Sequence, residues 1–204
     1  MTSPNQAKLN LATILQQLSK QYVNQYQQVH SHMPMIEHDE EWLSPCEISL
    51  KDDAINDSAL LKGHAFWQPV NIAQEQELNF ENVESALALT LHSDVKTYFT
   101  TLYSENMNMT CEEGELSLLF AWNKDDFHRL QENLIGHIMM KQRLKQKETI
   151  FFAVTDEEDM IVSIDNDTGS VWVEQVGCEP HKKLADSLAL FLSTLTPMIK
   201  QDLI

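Results

Sequence analysis

Carboxylates are the chemically most suggestive residues of this 204-residue chain, and they come in runs. Asp39, Glu40 and Glu41 form one run, Glu112 and Glu113 with Glu115 a second, Asp125 and Asp126 a third, and Asp156 to Asp159 a fourth. Clustered carboxylates can hold a hard cation. They can also work as an acid–base pair, which needs two groups at a fixed separation with unequal pKa values. The run from Asp156 falls where a turn is expected, so Glu157 and Glu158 read as solvated or partner-facing. The eight histidines contain no H-E-x-x-H spacing. Glu132 and His137 are five residues apart, about 140° around a helix, so they do not form a local acid–base pair. His137 is expected instead to satisfy a buried backbone or carboxylate group. Cys46 follows Ser44-Pro45 without basic neighbours that would lower its pKa, and reads as a small buried residue rather than a nucleophile. No serine lies in G-x-S-x-G, and the five glycines form no phosphate-cradling loop. Trp67 and Trp122 read as core aromatics. No catalytic residue, metal ligand or cofactor is expected.

Composition narrows the classes further. The formal net charge is −17, yet 43% of residues are apolar, so the chain is not a disordered acidic tail. Such a charge disfavours direct nucleic-acid binding, which needs Lys and Arg for phosphates. The charge is uneven. Residues 37–123 hold 17 acids and 3 bases, while residues 124–147 hold 3 acids and 6 bases. Three scattered cysteines suit a reducing cytoplasm. No signal peptide is recognised, and no apolar run exceeds five residues, far short of a membrane span. A strong net charge favours a monomer.

Elements must position these side chains. Ser3-Pro4 reads as a helix start, and Ala7, Leu11, Leu15, Leu18, Tyr22, Tyr26 and Val29 step along one face to about His30. Residues 31–80 read as irregular, with short strands near Cys46–Leu50 and His64–Gln68. Val83, Leu87 and Leu91 step as a helix from Glu81 that continues, after a break, through Val95 and Phe99. A hairpin turning at Glu112-Glu113-Gly114 joins Asn108–Cys111 to Glu115–Trp122. Asn123 or Lys124 opens a regular helix with Phe127, Leu130, Leu134 and Ile138 inward, acids first and Lys141 to Lys147 last. Strands follow at Thr149–Thr155, Met160–Asp165 and Ser170–Val176. A last helix is expected from His181 to Leu195, ended by Pro197. The whole is one α+β domain over residues 1–204: a largely hairpin-joined sheet between long N- and C-terminal helices.

The regular helix carries a resemblance. Asp125-Asp126-Phe127, Arg129 and Gln131-Glu132-Asn133-Leu134-Ile135-Gly136-His137 resemble the signature helix of the Syd family of SecY-interacting proteins. Ser44-Pro45-Cys46, Trp67-Gln68-Pro69, Tyr98-Phe99-Thr100-Thr101, Arg143-Leu144-Lys145 and Phe151-Phe152-Ala153 match in the same order. So do Leu184-Ala185, Leu188, Phe191-Leu192 and Pro197. The N-terminal dozen residues and the segment around Asp57–Lys62 have no counterpart. The resemblance implies a fold similar to the SUKH group and a non-enzymatic cytoplasmic protein. It also implies peripheral docking on the inner membrane through SecY, whose assembly it would monitor or regulate. It further implies an electronegative face that meets the cytosolic loops of SecY. Such loops are rich in Lys and Arg, so the physics agrees. Aligned with the family's acids are Asp39, Glu40, Glu41, Glu115, Asp125, Asp126, Glu132, Glu157 and Glu158. The alternatives from other classes are a carboxylate-based metal-dependent hydrolase and an acidic nucleic-acid mimic.

Overall fold

The computed structural model describes residues 10–48, 63–72 and 78–200. The expected helix start at Ser3-Pro4, the strand end at Leu50 and the segment around Asp57–Lys62 lie outside them. Helix α1 (Leu11–His30) is capped by Asn10, whose Oδ1 accepts from the Thr13 N–H at 3.3 Å. Leu11, Leu15, Leu18 and Tyr22 are its buried stripe. Each such leucine contributes roughly 1.5–3 kcal/mol by leaving water. The helix ends where Ser31 turns left-handed, with φ 62°.

Three short strands follow: β1 (Met35–Glu37), β2 (Glu47–Ile48) and β3 (His64–Trp67), which forms the centre of their sheet. Strand β4 (Val70–Asn71) comes next. Helices α2 (Glu81–Leu87) and α3 (Ser93–Thr101) are separated by the expected break, with Ala88 left-handed at φ 52°. Strand β5 (Leu102–Tyr103) pairs with β4.

The main sheet is built from β6 (Met107–Cys111), β7 (Gly114–Leu118), β8 (Thr149–Thr155), β9 (Met160–Asp165), β10 (Val171–Gln175), β11 (Lys182–Ala185) and β12 (Thr196–Pro197). Their order is β11-β10-β9-β8-β7-β6-β12, and every pairing is antiparallel. The fold class is therefore α+β, as expected. Between β7 and β8 runs α4 (Lys124–Leu144), and between β11 and β12 the short α5 (Leu188–Leu192).

Register assigns the two faces of the sheet, because residues paired across strands share a face. Phe151, Ser163 and Trp172 are in line, and α4 lies over them, with His137 against Phe151 at 5.4 Å. Val162 and Val173 point the other way, toward α5. There Phe152, at a register shift in β8, touches Phe191 of α5 and Tyr98 of α3.

Two expectations need correction. The helix from His181 to Leu195 is not there. Residues 182–185 are strand β11, laid along β10 with Val173 opposite Lys182. Only five residues, capped by Ser187, are helical. The helical spacing of Leu184, Leu188 and Leu195 was real, but β10 offers a row of backbone groups that needs partners, and the ladder satisfies them. Pro197, the expected stop, lies instead in edge strand β12, where a missing N–H is tolerated. The second correction concerns β7, expected to reach Trp122. It ends at Leu118, and the chain then turns aside, with Phe120 N–H donating to Asn106 Oδ1 and Ala121 accepting from Ser104 N–H.

Candidate functional site

That early turn after β7 opens a concavity of about 290 Å³ on the α4 side of the sheet. Glu105, Asn106, Trp122, Asp126 and Asn133 line it together with the Phe151 ring. Its walls are set by the start of α4. Asn123 Oδ1 accepts from the Asp126 N–H at 2.9 Å, and Asp126 Oδ2 accepts from the Trp122 N–H at 2.9 Å. The Asn123 side chain caps the helix, and the bond to the residue before the cap fixes the Asp126 carboxylate at the mouth of the concavity. Glu105 is the second carboxylate. Burial pushes its pKa up, the Asp126 charge pushes it further, and the Asn106 N–H opposes both.

The acidic loop is stitched to the same helix start. Trp122 Nε1 donates to the Trp42 carbonyl at 3.3 Å, and Asn123 Nδ2 donates to the Leu43 carbonyl at 2.9 Å. Ser44 Oγ donates to the Trp122 carbonyl. The Arg129 guanidinium lies 4.0 Å over the Trp42 ring. Asp39, Glu40 and Glu41, all exposed, are thereby held beside the first turn of α4, where Asp125 is exposed as well. Glu132 is exposed two turns further along the face of Asp125, since seven residues bring a helix almost back into line.

Glu115 and Glu157 are elsewhere. They line a trough of about 230 Å³ at the opposite end of β7, with Glu113 and Asp156. Leu116, Val162, Val173 and Phe191 lie under it, so it opens on the α5 face. Glu158 is exposed in the same β8–β9 turn. Of the nine acids aligned with the family, six are thus near α4 and three are at the far end of β7 and in the β8–β9 turn, where Glu115, paired with Thr110 and alternating with Leu116, projects from the face opposite the trough floor. Glu105 escaped the sequence reading because it stands alone between buried Tyr103 and Met107, outside every acidic run.

Another constellation is wholly interior. His137 and Lys141, one turn apart on α4, converge on Glu174 of β10. Lys141 Nζ is 3.1 Å from Glu174 Oε2 and donates to the Cys178 carbonyl at 2.7 Å. Thr149 Oγ1 donates to Glu174 Oε1 at 2.8 Å, and His137 Nε2 is 3.5 Å from the same oxygen. Burial alone would raise the Glu174 pKa. The His137, Thr149 and Lys141 contacts outweigh it and hold the carboxyl below its usual range. Lys141 and Glu174 are 0% exposed, so the group clamps helix to sheet and does not meet a solute. His137 meets a carboxylate, as expected, and Lys141, one of the basic residues expected toward the end of the helix, is buried against it.

Cys46 is 1% exposed, and burial above all pushes its thiol up to about 11, so it is no nucleophile. Trp67 and Trp122 meet edge-on in the core at 6.1 Å, as expected. Among the described residues, no three His, Cys, Asp or Glu are placed to hold a metal ion. No helix among them is long and apolar enough to cross a membrane.

Comparison with known proteins agrees with the signature helix. The family model of the Syd protein (SUKH-2) matches residues 12–197. Protein Syd of Colwellia psychrerythraea is 54% identical over 203 residues, 96% of each chain. Protein Syd of Pseudoalteromonas atlantica is 43% identical over 82% of this chain and 86% of its own. Protein Syd of Yersinia pestis is 34% identical over 95% of this chain and 99% of its own. On the strength of that match across nearly its whole length, the chain belongs to the Syd family.

Proposed function

We propose that this chain is a non-enzymatic docking protein. Its acidic surface at the start of α4 meets the basic cytosolic loops of SecY, and through that contact it monitors or regulates SecY assembly. It works as a monomer at the cytoplasmic face of the inner membrane, held there by its partner. The observation that supports this reading is the stitching of residues 39–44 to the start of α4, which holds the exposed Asp39, Glu40 and Glu41 beside Asp125, with Glu132 two turns along the same face and with Asp126 and Glu105 lining the adjoining concavity. A basic loop would be steered to this surface and held by charge-assisted hydrogen bonds. Glu115, Glu157 and Glu158 lie apart from this surface, at the far end of β7 and in the β8–β9 turn. Metal-dependent hydrolysis lacks a ligand set among the described residues, and no observation favours nucleic-acid mimicry.

The test is co-sedimentation with SecY-containing membranes across rising salt. Binding at low salt that fades through roughly physiological ionic strength supports the reading. Asp125→Lys with Glu132→Lys should abolish it while the thermal unfolding midpoint stays near that of the parent. Retention of SecY binding by that variant, or indifference to salt, overturns the assignment. Asp126 is a poorer choice for reversal, because its carboxylate also holds the Trp122 N–H at the entry to α4.

A further inference from the structure

Gly136 stands in the middle of α4, where glycine is the least favourable residue after proline. Nothing among the described residues requires it there. Its φ is not positive, and a Cβ added to it would meet no atom within 4 Å. It is exposed, on the side of α4 opposite the buried Leu134, Ile138 and Lys141. With no turn and no neighbour to demand the missing side chain, its physical use is close approach from outside.

The same side of the helix carries an exposed stripe. Arg129, Glu132, Gly136, Met139 and Arg143 follow one another at steps of 3, 4, 3 and 4 residues, which is the spacing of a helix–helix seam. Met139, next to the glycine, is 50% exposed. Neither Glu132 nor Arg143 has an ion-pair partner among the described residues. Reversed, the stripe is its own complement. When two copies of α4 run antiparallel about a twofold axis between residues 137 and 138, Gly136 of one protomer faces Met139 of the other. In the same register Glu132 faces Arg143, so both the shape and the charge of the seam match.

We propose that free chains pair with a second copy of themselves through α4, as an antiparallel twofold dimer. Met139 of each protomer seats over Gly136 of the other, where its flexible thioether fills the space of the missing side chain. Two Glu132–Arg143 pairs flank this centre. Leu43 and Leu144, 58% and 50% exposed, lie at opposite ends of α4, so the same arrangement brings them toward each other across the dimer. Residues 124–147, with 3 acids against 6 bases, are where two chains of charge −17 repel each other least. One helix pair falls short of the ~1,200 Å² of a stable complex, so the dimer is weak and depends on concentration. It forms without SecY and does not rest on the SecY reading. Because pairing covers Glu132, the dimer and the SecY-docked monomer exclude one another.

The test is sedimentation equilibrium of the full chain, without SecY, at physiological salt and at concentrations up to millimolar. A reversible dimer is expected, and a parent that stays monomeric throughout overturns the proposal. Gly136→Gln fills the gap with a side chain for which the single chain has room. It should weaken dimerisation at least about tenfold while the thermal unfolding midpoint holds or rises, because glutamine is the better helix former. Glu132→Arg and Arg143→Glu should each weaken dimerisation at least about tenfold, by setting like charges opposite one another. Combining the two exchanges the charges and should bring affinity back to within about threefold of the parent. Undiminished dimerisation of Gly136→Gln, or a double variant as weak as the single ones, overturns the seam. Glu132→Arg also lowers the net negative charge, so stronger dimerisation of that variant means that overall repulsion governs association and overturns the pairing as well.

Discussion

Glu105 shows how a single residue can be costly to the fold and useful to a surface. Its carboxyl is pushed up by burial and by Asp126, so its charged form costs the folded state more than it costs the unfolded chain. A carboxyl raised on folding destabilises the folded state above that raised value, and the penalty vanishes below the unfolded value of about 4.3. Glu105→Gln should therefore raise the thermal midpoint at neutral pH, and the advantage should disappear near pH 4. An advantage that persists in acid would mean that packing, not charge, is responsible. The same variant should weaken SecY docking, measured by co-sedimentation. A function-bearing carboxylate held against its solvation preference is a recognised mark of a binding site.

The decisive element is α4. Its N-terminus fixes the acidic surface and its middle fixes the helix on the sheet. Lys141 and His137 face Glu174, which in turn accepts from Thr149. Lys141→Ala leaves a buried carboxylate short of a cation and should cost about 3–5 kcal/mol in chemical denaturation. Lys141→Met combined with Glu174→Leu removes both charges and should recover much of that loss. A double variant as unstable as Lys141→Ala would show that the clamp is worth more than its desolvation cost. At the other end, Asn123→Ala should cost about 0.5–2 kcal/mol as a lost cap. It also removes the bond to the Leu43 carbonyl, so it should loosen the acidic loop, detectable as faster amide exchange in residues 39–44. The α4 boundaries were legible because cap, apolar spacing and charge order all agreed. The C-terminal helix was misread because its apolar spacing fitted a helix equally well while a neighbouring sheet edge, invisible in sequence, claimed residues 182–185.

For the whole molecule, acidic residues gather at two places among the described residues: Glu105 and Asp126 at the concavity beside α4, and Glu113, Asp156 and Glu157 at the trough on the α5 face. Acid should expose the contribution of Glu174. Its carboxyl is lowered on folding, so the stability it contributes is full above the unfolded value of about 4.3 and is lost as pH falls through the lower folded value. The unfolding midpoint of the parent should therefore fall more steeply below about pH 4 than that of Glu174→Gln, although the variant starts lower. Parallel curves would remove Glu174 from the acid response.

Sequence alone determined the elements whose signals are local. These are the α1 stripe, the hairpin at Glu112-Glu113, the capped α4, the strands from Thr149 to Gln175 and the family signature on α4. Caps, turns and apolar periodicity are written within a few residues, so they need no knowledge of what lies across the fold. Only the tertiary structure decided which acids share a face. It placed Asp39 with Asp125 through the bonds from Trp122 and Asn123, set Glu105 beside Asp126, kept Glu115 and Glu157 apart at the far end of β7 and buried Lys141. Those outcomes depend on partners tens of residues away. An exposed and a buried lysine look alike in sequence until the carboxylate that neutralises one of them is in place.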